Sequence, residues 1–288
     1  MRVLIFGGDG MLGHRLLKHM ASRHVVRVTL HREWEAYGSW PLFTSENSCA
    51  GLDVRDEDKT ERLVRTFLPE VMINCVGIVK QRSEAKTQRL SIEVNALVPH
   101  QLASIARRTG CRLIHLSTDC VFSGHRGRYR EDDLADAEDI YGRTKWLGEV
   151  SEPGCLTLRS SIIGPELSRK SGLLEWFLSQ KGKTILGYRR AIFSGFTTSE
   201  MSRLIEKLIV EHPNESGLYH VSSEPISKHD LLRKINAEME LGIDIRPDDE
   251  FVCDRSLDST PFRQRFGYLP PPWGKMVSEL ARELRKGD

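Results

Sequence analysis

The chain leaves its first apolar run through Phe6-Gly7-Gly8-Asp9-Gly10-Met11-Leu12-Gly13, and this turn restricts the fold more than any other stretch. Arg2–Phe6 reads as a strand. Met11–Ser22 reads as a helix with Leu12, Leu16, Leu17 and Met20 as its apolar stripe. Gly7, Gly10 and Gly13 form one glycine register; Gly8, Gly10 and Gly13 form another. Either register meets the same physical need. The chain must turn tightly, its bare backbone must let a pyrophosphate approach, and the helix must pack close to the sheet at Gly13. The helix N-terminus adds N–H donors for an anion. A glycine turn alone is common, but this one is followed by a helix and a second strand, Val25–Leu30. The context predicts a dinucleotide site lined by Gly7, Gly10, Met11, Leu12 and Gly13.

Further strands and helices alternate along the first half. Ala50–Val54 reads as a short strand, Asp58–Phe67 as a helix, Val71–Val76 as a strand and Leu90–Thr109 as one long helix with Gly110 behind it. Arg112–Ser117 and Cys155–Arg159 read as strands around a helix at Tyr141–Val150, and Trp34–Asn47 reads as a loop. The repeat predicts an α/β fold, a Rossmann-like doubly wound parallel sheet. Beyond it, helices are expected at Leu173–Ser179, Ser199–Glu211, Ser227–Met239 and Lys275–Arg285, with a strand at Leu218–Val221. This half reads as a smaller, interleaved mixed α/β substrate-binding lobe. Residues 1–164 would be mainly the NAD(P)-binding domain and 165–288 mainly the lobe, with segments near 190–212 returning to the first domain.

Composition excludes several classes. Lys plus Arg is 42 and Asp plus Glu is 40, a net charge of +2, so nucleic acid is not an expected partner. The apolar runs are too short to span a bilayer, which argues against membrane insertion, and the glycine turn interrupts any secretory signal. The six cysteines are scattered without a CxxC pair, which fits free thiols in the cytoplasm. No HxxxH pair suggests a metal, and no GxSxG elbow suggests a serine hydrolase.

The second strand ends in Leu30-His31-Arg32-Glu33. An NAD site usually places an acid there to hold the ribose diol. Here Arg32 could pair with a 2′-phosphate, assisted by His31, which favours NADPH; Glu33, one step late, keeps NADH open. Arg32 could equally be an ordinary surface arginine. Asp53, followed by Val54, could accept from the adenine amino group or serve as a turn aspartate. Tyr141 and Lys145 lie four residues apart on one helical face. A nearby ammonium stabilises a phenolate and so makes a tyrosine a usable acid near neutrality. Thr118, at the end of the strand Arg112–Ser117, can offer a hydroxyl to a substrate carbonyl.

At these residues the sequence resembles the extended short-chain dehydrogenase/reductase superfamily and, within it, the dTDP-4-dehydrorhamnose reductase family. The resemblance rests on GGDGMLG at 7–13, LDV at 52–54, INCVG at 73–77, VNA at 94–96, STDCVFSG at 117–124 and YGRTKWLGE at 141–149, with LRSSIIG at 158–164 and RSLDSTPF at 255–262. It implies reduction of a nucleotide-linked 4-keto-6-deoxy sugar by NAD(P)H. Thr118 would take the hydroxyl role, Tyr141 the acid role, and Lys145 the supporting role with a reach to the nicotinamide ribose. Cys75, Val76 and Gly77 would line the cofactor, and Asn95 would hold the active-site helix or a water. Val121 and Phe122 would pack below the substrate. A nucleotide-diphosphate sugar is the expected partner, and a homodimer is allowed for.

The departures from the family pattern concern the sugar pocket. Cys120 beside Asp119 stands where relatives often carry Tyr, Ile162-Ile163-Gly164 replaces Trp-Leu-Tyr, and Ile78-Val79 replaces Tyr-Thr. Val79, Asp119, Cys120 and Ile162 are therefore the expected substrate contacts. Lys80, Arg82 and Lys86 could meet a diphosphate or form a solvated loop. A UDP-linked, N-acetylated 4-keto sugar, reduced or epimerised, is one alternative. A non-catalytic NADP-binding regulatory subunit is another; such chains often lose the Tyr/Lys pair that this one keeps.

Overall fold

A computed structural model describes residues 1–78, 88–168 and 170–285. Its first part runs β1 (Arg2–Phe6), α1 (Gly13–Met20), β2 (Val25–Thr29), β3 (Ser48–Cys49), α2 (Glu57–Phe67), β4 (Val71–Asn74), α3 (Gln88–Ser91), α4 (Val98–Thr109), β5 (Arg112–Thr118), α5 (Ile140–Leu147) and β6 (Cys155–Ser160). Then come β7 (Ile162–Ile163), α6 (Leu173–Leu178), β8 (Thr184–Tyr188), β9 (Ala191–Phe193), β10 (Phe196–Thr197), α7 (Thr198–Glu211) and β11 (Gly217–His220). The chain finishes with β12 (Ile226–Ser227), α8 (Lys228–Met239), β13 (Asp244–Asp248), β14 (Cys253–Asp254), α9 (Thr260–Phe266) and α10 (Trp273–Arg285).

Among the described residues, seven strands form the central sheet in the order β11-β6-β5-β4-β1-β2-β3. From β3 to β5 the neighbours are parallel: Val3 lies beside both Val26 and Val71, and Ile73 beside Ile114. Helices cover both faces, so the inner strands are apolar throughout rather than alternating. Leu4, Ile5, Phe6, Met72 and Leu113 are fully buried, each worth roughly 1.5–3 kcal/mol by area removed from water. Leu4, Phe6, Met72 and Leu113 join Val64 of α2 and Leu102, Ile105 and Ala106 of α4 in one core. The order is the doubly wound one, and its direction reverses between β1 and β4. Ligands of such sheets bind outside the carboxyl ends of the strands at that reversal.

The chain divides into two units. The first comprises Met1–Ser117, Asp139–Leu158 and Ser202–Leu218; the second comprises Thr118–Glu138, Arg159–Met201 and the chain from Tyr219 onward. The second unit contains three small sheets, β10-β7, β12-β9-β14 and β13-β8. Ser227 caps α8: its Oγ accepts from the Asp230 N–H at 3.0 Å. No helix among the described residues is long and apolar enough to cross a membrane. No group of three or more metal-ligating side chains occurs among them.

Three expectations change. The strand expected at Ala50–Val54 is absent as such, and pairing with β2 is carried by Ser48 and Cys49. Gly51 at φ 70° then bends the chain, although its N–H still reaches the Arg32 carbonyl. The loop at Trp34–Asn47 holds a single 3₁₀ turn, Trp34–Tyr37. The long helix of 90–109 is divided by a π-helical turn, Ile92–Leu97, ahead of α4. Gly110, at φ 72°, ends α4 as expected, its N–H donating to the Ala106 carbonyl.

Candidate active site

The glycine turn is built by close approach. Gly7 has φ 86°, and a β-carbon there would meet Val76 Cγ2 at 3.1 Å, so the turn lies against the segment after β4. A β-carbon at Gly13 would lie 2.0 Å from the Gly7 carbonyl oxygen, which is how tightly α1 sits on the turn. At Gly10 the added carbon would meet, among the described residues, only that same oxygen, at 3.2 Å. That open backbone face is the cradle a pyrophosphate needs. His14 Nδ1–H donates to the Gly10 carbonyl at 2.7 Å, and burial lowers the imidazole pKa. Met11 is half-buried and Leu12 buried, the latter as part of the core face of this segment.

At the end of β2, His31 and Arg32 are exposed. The Arg32 N–H donates to the Tyr37 hydroxyl at 3.2 Å, and that hydroxyl donates to Asp9 Oδ2 at 3.1 Å. Glu33 is turned onto Gly51, where a β-carbon would lie 2.5 Å from Oε1. Asp53 is held by Arg55, whose guanidinium reaches Oδ2 at 2.6 Å and also Glu93 at 2.9 Å. Those hydrogen bonds hold the Asp53 carboxyl below its ordinary pKa. Val54 belongs to the core beneath.

The segment after β4 is fixed from two sides. Asn74 Oδ1 accepts from the Val76 N–H at 3.0 Å, while its Nδ2 donates to Nδ1 of buried His115 at 3.1 Å. The other His115 ring nitrogen has no partner among the described residues, and burial, with Lys145 nearby, drives its pKa well below the ordinary range. Burial likewise pushes the Cys75 thiol up to about 12, so it stays a neutral wall rather than a nucleophile. Asn95, on the π-helical turn, accepts from the Ile78 N–H at 2.8 Å and donates to the Ile78 carbonyl at 3.0 Å. Its Nδ2 also reaches Thr144 Oγ1 of α5 at 3.2 Å. The carbonyl of Asn95 would lie 2.0 Å from a β-carbon at Gly148, so helix and turn touch backbone to backbone. Gly77 lies next to this clasp, its missing β-carbon 3.5 Å from Asn95 Oδ1.

Asp139 caps α5 by accepting from the Gly142 N–H at 3.0 Å. The helix then places half-buried Tyr141 one turn before buried Lys145. Lys145 Nζ donates to the Leu116 carbonyl of β5 at 2.7 Å. Burial lowers its pKa to about 8, opposed by the charge of Glu149. Glu149 in turn accepts from Ser117 Oγ at 2.7 Å.

Of the expected substrate-side residues, Thr118, Asp119, Cys120 and Ile162 belong to the second unit. Thr118, buried at the end of β5, accepts from the Cys120 N–H at 3.1 Å and donates to Asp119 Oδ1 at 3.2 Å. Cys120 lies 3.8 Å from Arg255 Nη1, and burial pushes its thiol up to about 12. Phe122 is fully buried and stacks on Tyr129 at 4.1 Å. Ile162 is half-buried on β7, beside Phe196. Val79 and the basic residues Lys80, Arg82 and Lys86 lie outside the described residues. Sequence reasoning passed over Asp9, Tyr37, Arg55, Asn74, His115 and Glu149. Of these only Glu149 carried a signal, four residues after Lys145 on the same helical face.

Known proteins resemble this chain over most of its length. The curated dTDP-4-dehydrorhamnose reductase of Aggregatibacter actinomycetemcomitans is 26% identical, over 97% of this chain and 98% of its own length. The methionine adenosyltransferase 2 subunit beta of Xenopus laevis is 27% identical, over 90% of this chain and 78% of its own. The crystal structure of the Bacillus anthracis dTDP-4-dehydrorhamnose reductase in complex with NADP superposes with a TM-score of 0.79 at 22% identity, covering 98% of this chain and 99% of that one. Residues 1–163 match the family model of the RmlD substrate binding domain, and the chain belongs to that family, the dTDP-4-dehydrorhamnose reductases of the extended short-chain dehydrogenase/reductase superfamily.

Proposed function

We propose that this chain reduces the C4 ketone of a nucleotide-linked 4-keto-6-deoxy sugar, most like dTDP-4-dehydro-L-rhamnose to dTDP-L-rhamnose, with NADPH preferred and NADH accepted. The observation that carries the reading is the placement of Lys145. Its ammonium is buried, anchored to the Leu116 carbonyl beside the carboxyl end of β5, and lies one helical turn from Tyr141. The glycine cradle at Gly7, Gly10 and Gly13, with Met11, Leu12, Arg32, Cys75, Val76 and Gly77, fits a bound dinucleotide, which supplies the hydride.

The chain's own residues manage the proton and the charge. Tyr141 donates its phenolic proton to the sugar oxygen as that oxygen becomes an alkoxide. Lys145, with a pKa of about 8, is mostly ammonium at neutral pH and lowers the cost of the phenolate left behind. Thr118 turns its hydroxyl from Asp119 to the same oxygen and donates to it, so that bond strengthens only as charge forms. Asn95 keeps α5 in register with the segment after β4. Asp119, Cys120 and Ile162 border the sugar. All six cysteines are free, which supports a cytoplasmic location.

A second reading, a non-catalytic regulatory subunit, is favoured by the likeness to the methionine adenosyltransferase subunit. One experiment separates the two. Purified protein is offered dTDP- and UDP-linked 4-keto sugars, and NADPH oxidation is followed with product analysis by NMR. Oxidation with the dTDP-linked ketone supports the reductase; oxidation only with a UDP-linked one moves the substrate. Tight NADPH binding with no oxidation by any ketone supports the subunit.

A further inference from the structure

We propose that Asp9, held by Tyr37, is a specificity-determining residue for the dinucleotide, its carboxylate opposing Arg32 at the adenosine ribose and so restraining the preference for a 2′-phosphate. The inference rests on the dinucleotide reading above and concerns how the same site chooses between two cofactors.

One phenol oxygen connects the two places that matter. Tyr37 accepts from the Arg32 N–H at 3.2 Å and donates to Asp9 Oδ2 at 3.1 Å. Asp9 lies inside the glycine turn, between Gly8 and Gly10; Arg32 lies just past the end of β2. In a sheet of this order the pyrophosphate sits at the first and the adenosine ribose at the second. The Asp9 carboxylate is therefore tied, through two hydrogen bonds, to the position where an acid reads the ribose diol. The acid nearest in sequence, Glu33, is turned away onto Gly51.

The tether is stiff. Tyr37 is only 7% exposed, and its ring meets Phe43 edge-on at 5.6 Å. Burial, with the Asp9 charge adding to it, raises the phenol pKa, so Tyr37 keeps its proton and remains a donor to Asp9. A carboxylate so fixed accepts from the two hydroxyls of a diol. It repels a 2′-phosphate, which Arg32 attracts by charge-assisted hydrogen bonds. The two side chains pull the preference in opposite directions, which leaves room for NADH in a site whose β2 end looks built for NADPH.

The test is titration of the full chain with NADPH and NADH at low and high salt, for the wild type, Asp9→Asn and Tyr37→Phe. Asp9→Asn keeps the shape and an acceptor for Tyr37 but removes the charge. It should tighten NADPH about tenfold and weaken NADH, with the shift shrinking as salt screens it. Tyr37→Phe keeps the ring and should move the ratio the same way by less. Asp9→Ser replaces Asp9→Asn should the latter not fold. A merely structural role weakens both dinucleotides together and leaves their ratio alone. Unchanged ratios with intact binding overturn the inference by itself. A wild type that binds neither dinucleotide overturns the cofactor reading and the inference with it.

Discussion

The Asn95 carboxamide clasps both polar groups of one peptide residue, accepting from the Ile78 N–H at 2.8 Å and donating to the Ile78 carbonyl at 3.0 Å. Both atoms are buried, so the clasp replaces water for a segment that leaves the sheet without a strand partner. Asn95→Leu should leave those two groups unpaired and cost about 2–5 kcal/mol, read as a lower urea midpoint with an unchanged slope. Turnover should fall with it, because the same carboxamide reaches Thr144 on α5. A midpoint within error of the wild type would mean that water substitutes freely.

Lys145 sets an alkaline limit. Its pKa is lowered to about 8, chiefly by burial, so the ammonium proposed to support Tyr141 is lost as the pH rises through that value. kcat should be level on the acid side of the limb and decline above about pH 8. In Lys145→Met the limb should vanish and turnover be low throughout. A wild-type profile that stays flat well above that pH would remove Lys145 from the tuning role.

Tyr141→Phe keeps the ring and deletes the proposed acid. The variant should fold, bind NADPH, and lose roughly 10²–10⁴-fold in kcat, the usual worth of a positioned acid. Near-normal turnover across the pH range would assign the proton to another group.

The glycines of the turn should separate. A β-carbon at Gly13 would fall 2.0 Å from backbone, so Gly13→Ala must displace α1 and should lower stability as well as cofactor affinity. At Gly10 the only neighbour among the described residues is 3.2 Å away. Gly10→Ala should therefore fold close to normally and lose dinucleotide affinity, as calorimetry would detect. Equal affinity in Gly10→Ala and wild type would place the pyrophosphate elsewhere.

Acid should destabilise the fold through His220. Its Nδ1–H donates to the Tyr129 carbonyl and its Nε2 accepts from Arg159, so the ring is locked in one neutral tautomer. Burial first, then Arg159, lower its pKa to about 4 from an ordinary 6.5. The unfolded chain binds the proton first, so stability is complete above about pH 6.5 and is lost as the pH falls towards 4. The loss is of order 3 kcal/mol at the limit. Urea midpoints measured across that window should decline, and His220→Gln should flatten the decline; a parallel decline in the variant would shift the cause to other groups.

The first half of the fold was legible because its strands are buried on both faces and its helices carry one apolar stripe each. The glycine turn, the end of α4 at Gly110 and the Tyr141–Lys145 spacing are all local patterns, and local patterns are what a sequence displays. The pairing of β8 with β13 is different. It joins residues 60 apart, from Thr184 with Asp244 to Tyr188 with Asp248, and β13 carries Pro247 and mostly polar side chains. Nothing in either segment announces the other. The site followed the same division. Tyr37 lies in a stretch that reads as loop, and only folding brings its hydroxyl to Asp9. Asp53 reads in sequence as an adenine contact or a turn aspartate, and the sequence does not announce that Arg55, two residues on, holds its carboxylate.

The first unit is completed by Ser202–Leu218, far along the chain from the rest of it. There the Arg112 guanidinium donates to the carbonyls of Leu208 and Glu215, and Glu206 receives His19 and His24. The span that defines the family, 1–163, stops short of this segment and includes Thr118–Glu138 of the second unit. A gene fragment cut at that boundary would encode a protein whose buried arginine has lost both of its acceptors. A transplant of this unit into a relative would therefore keep Arg112 paired only if residues 202–218 travelled with it.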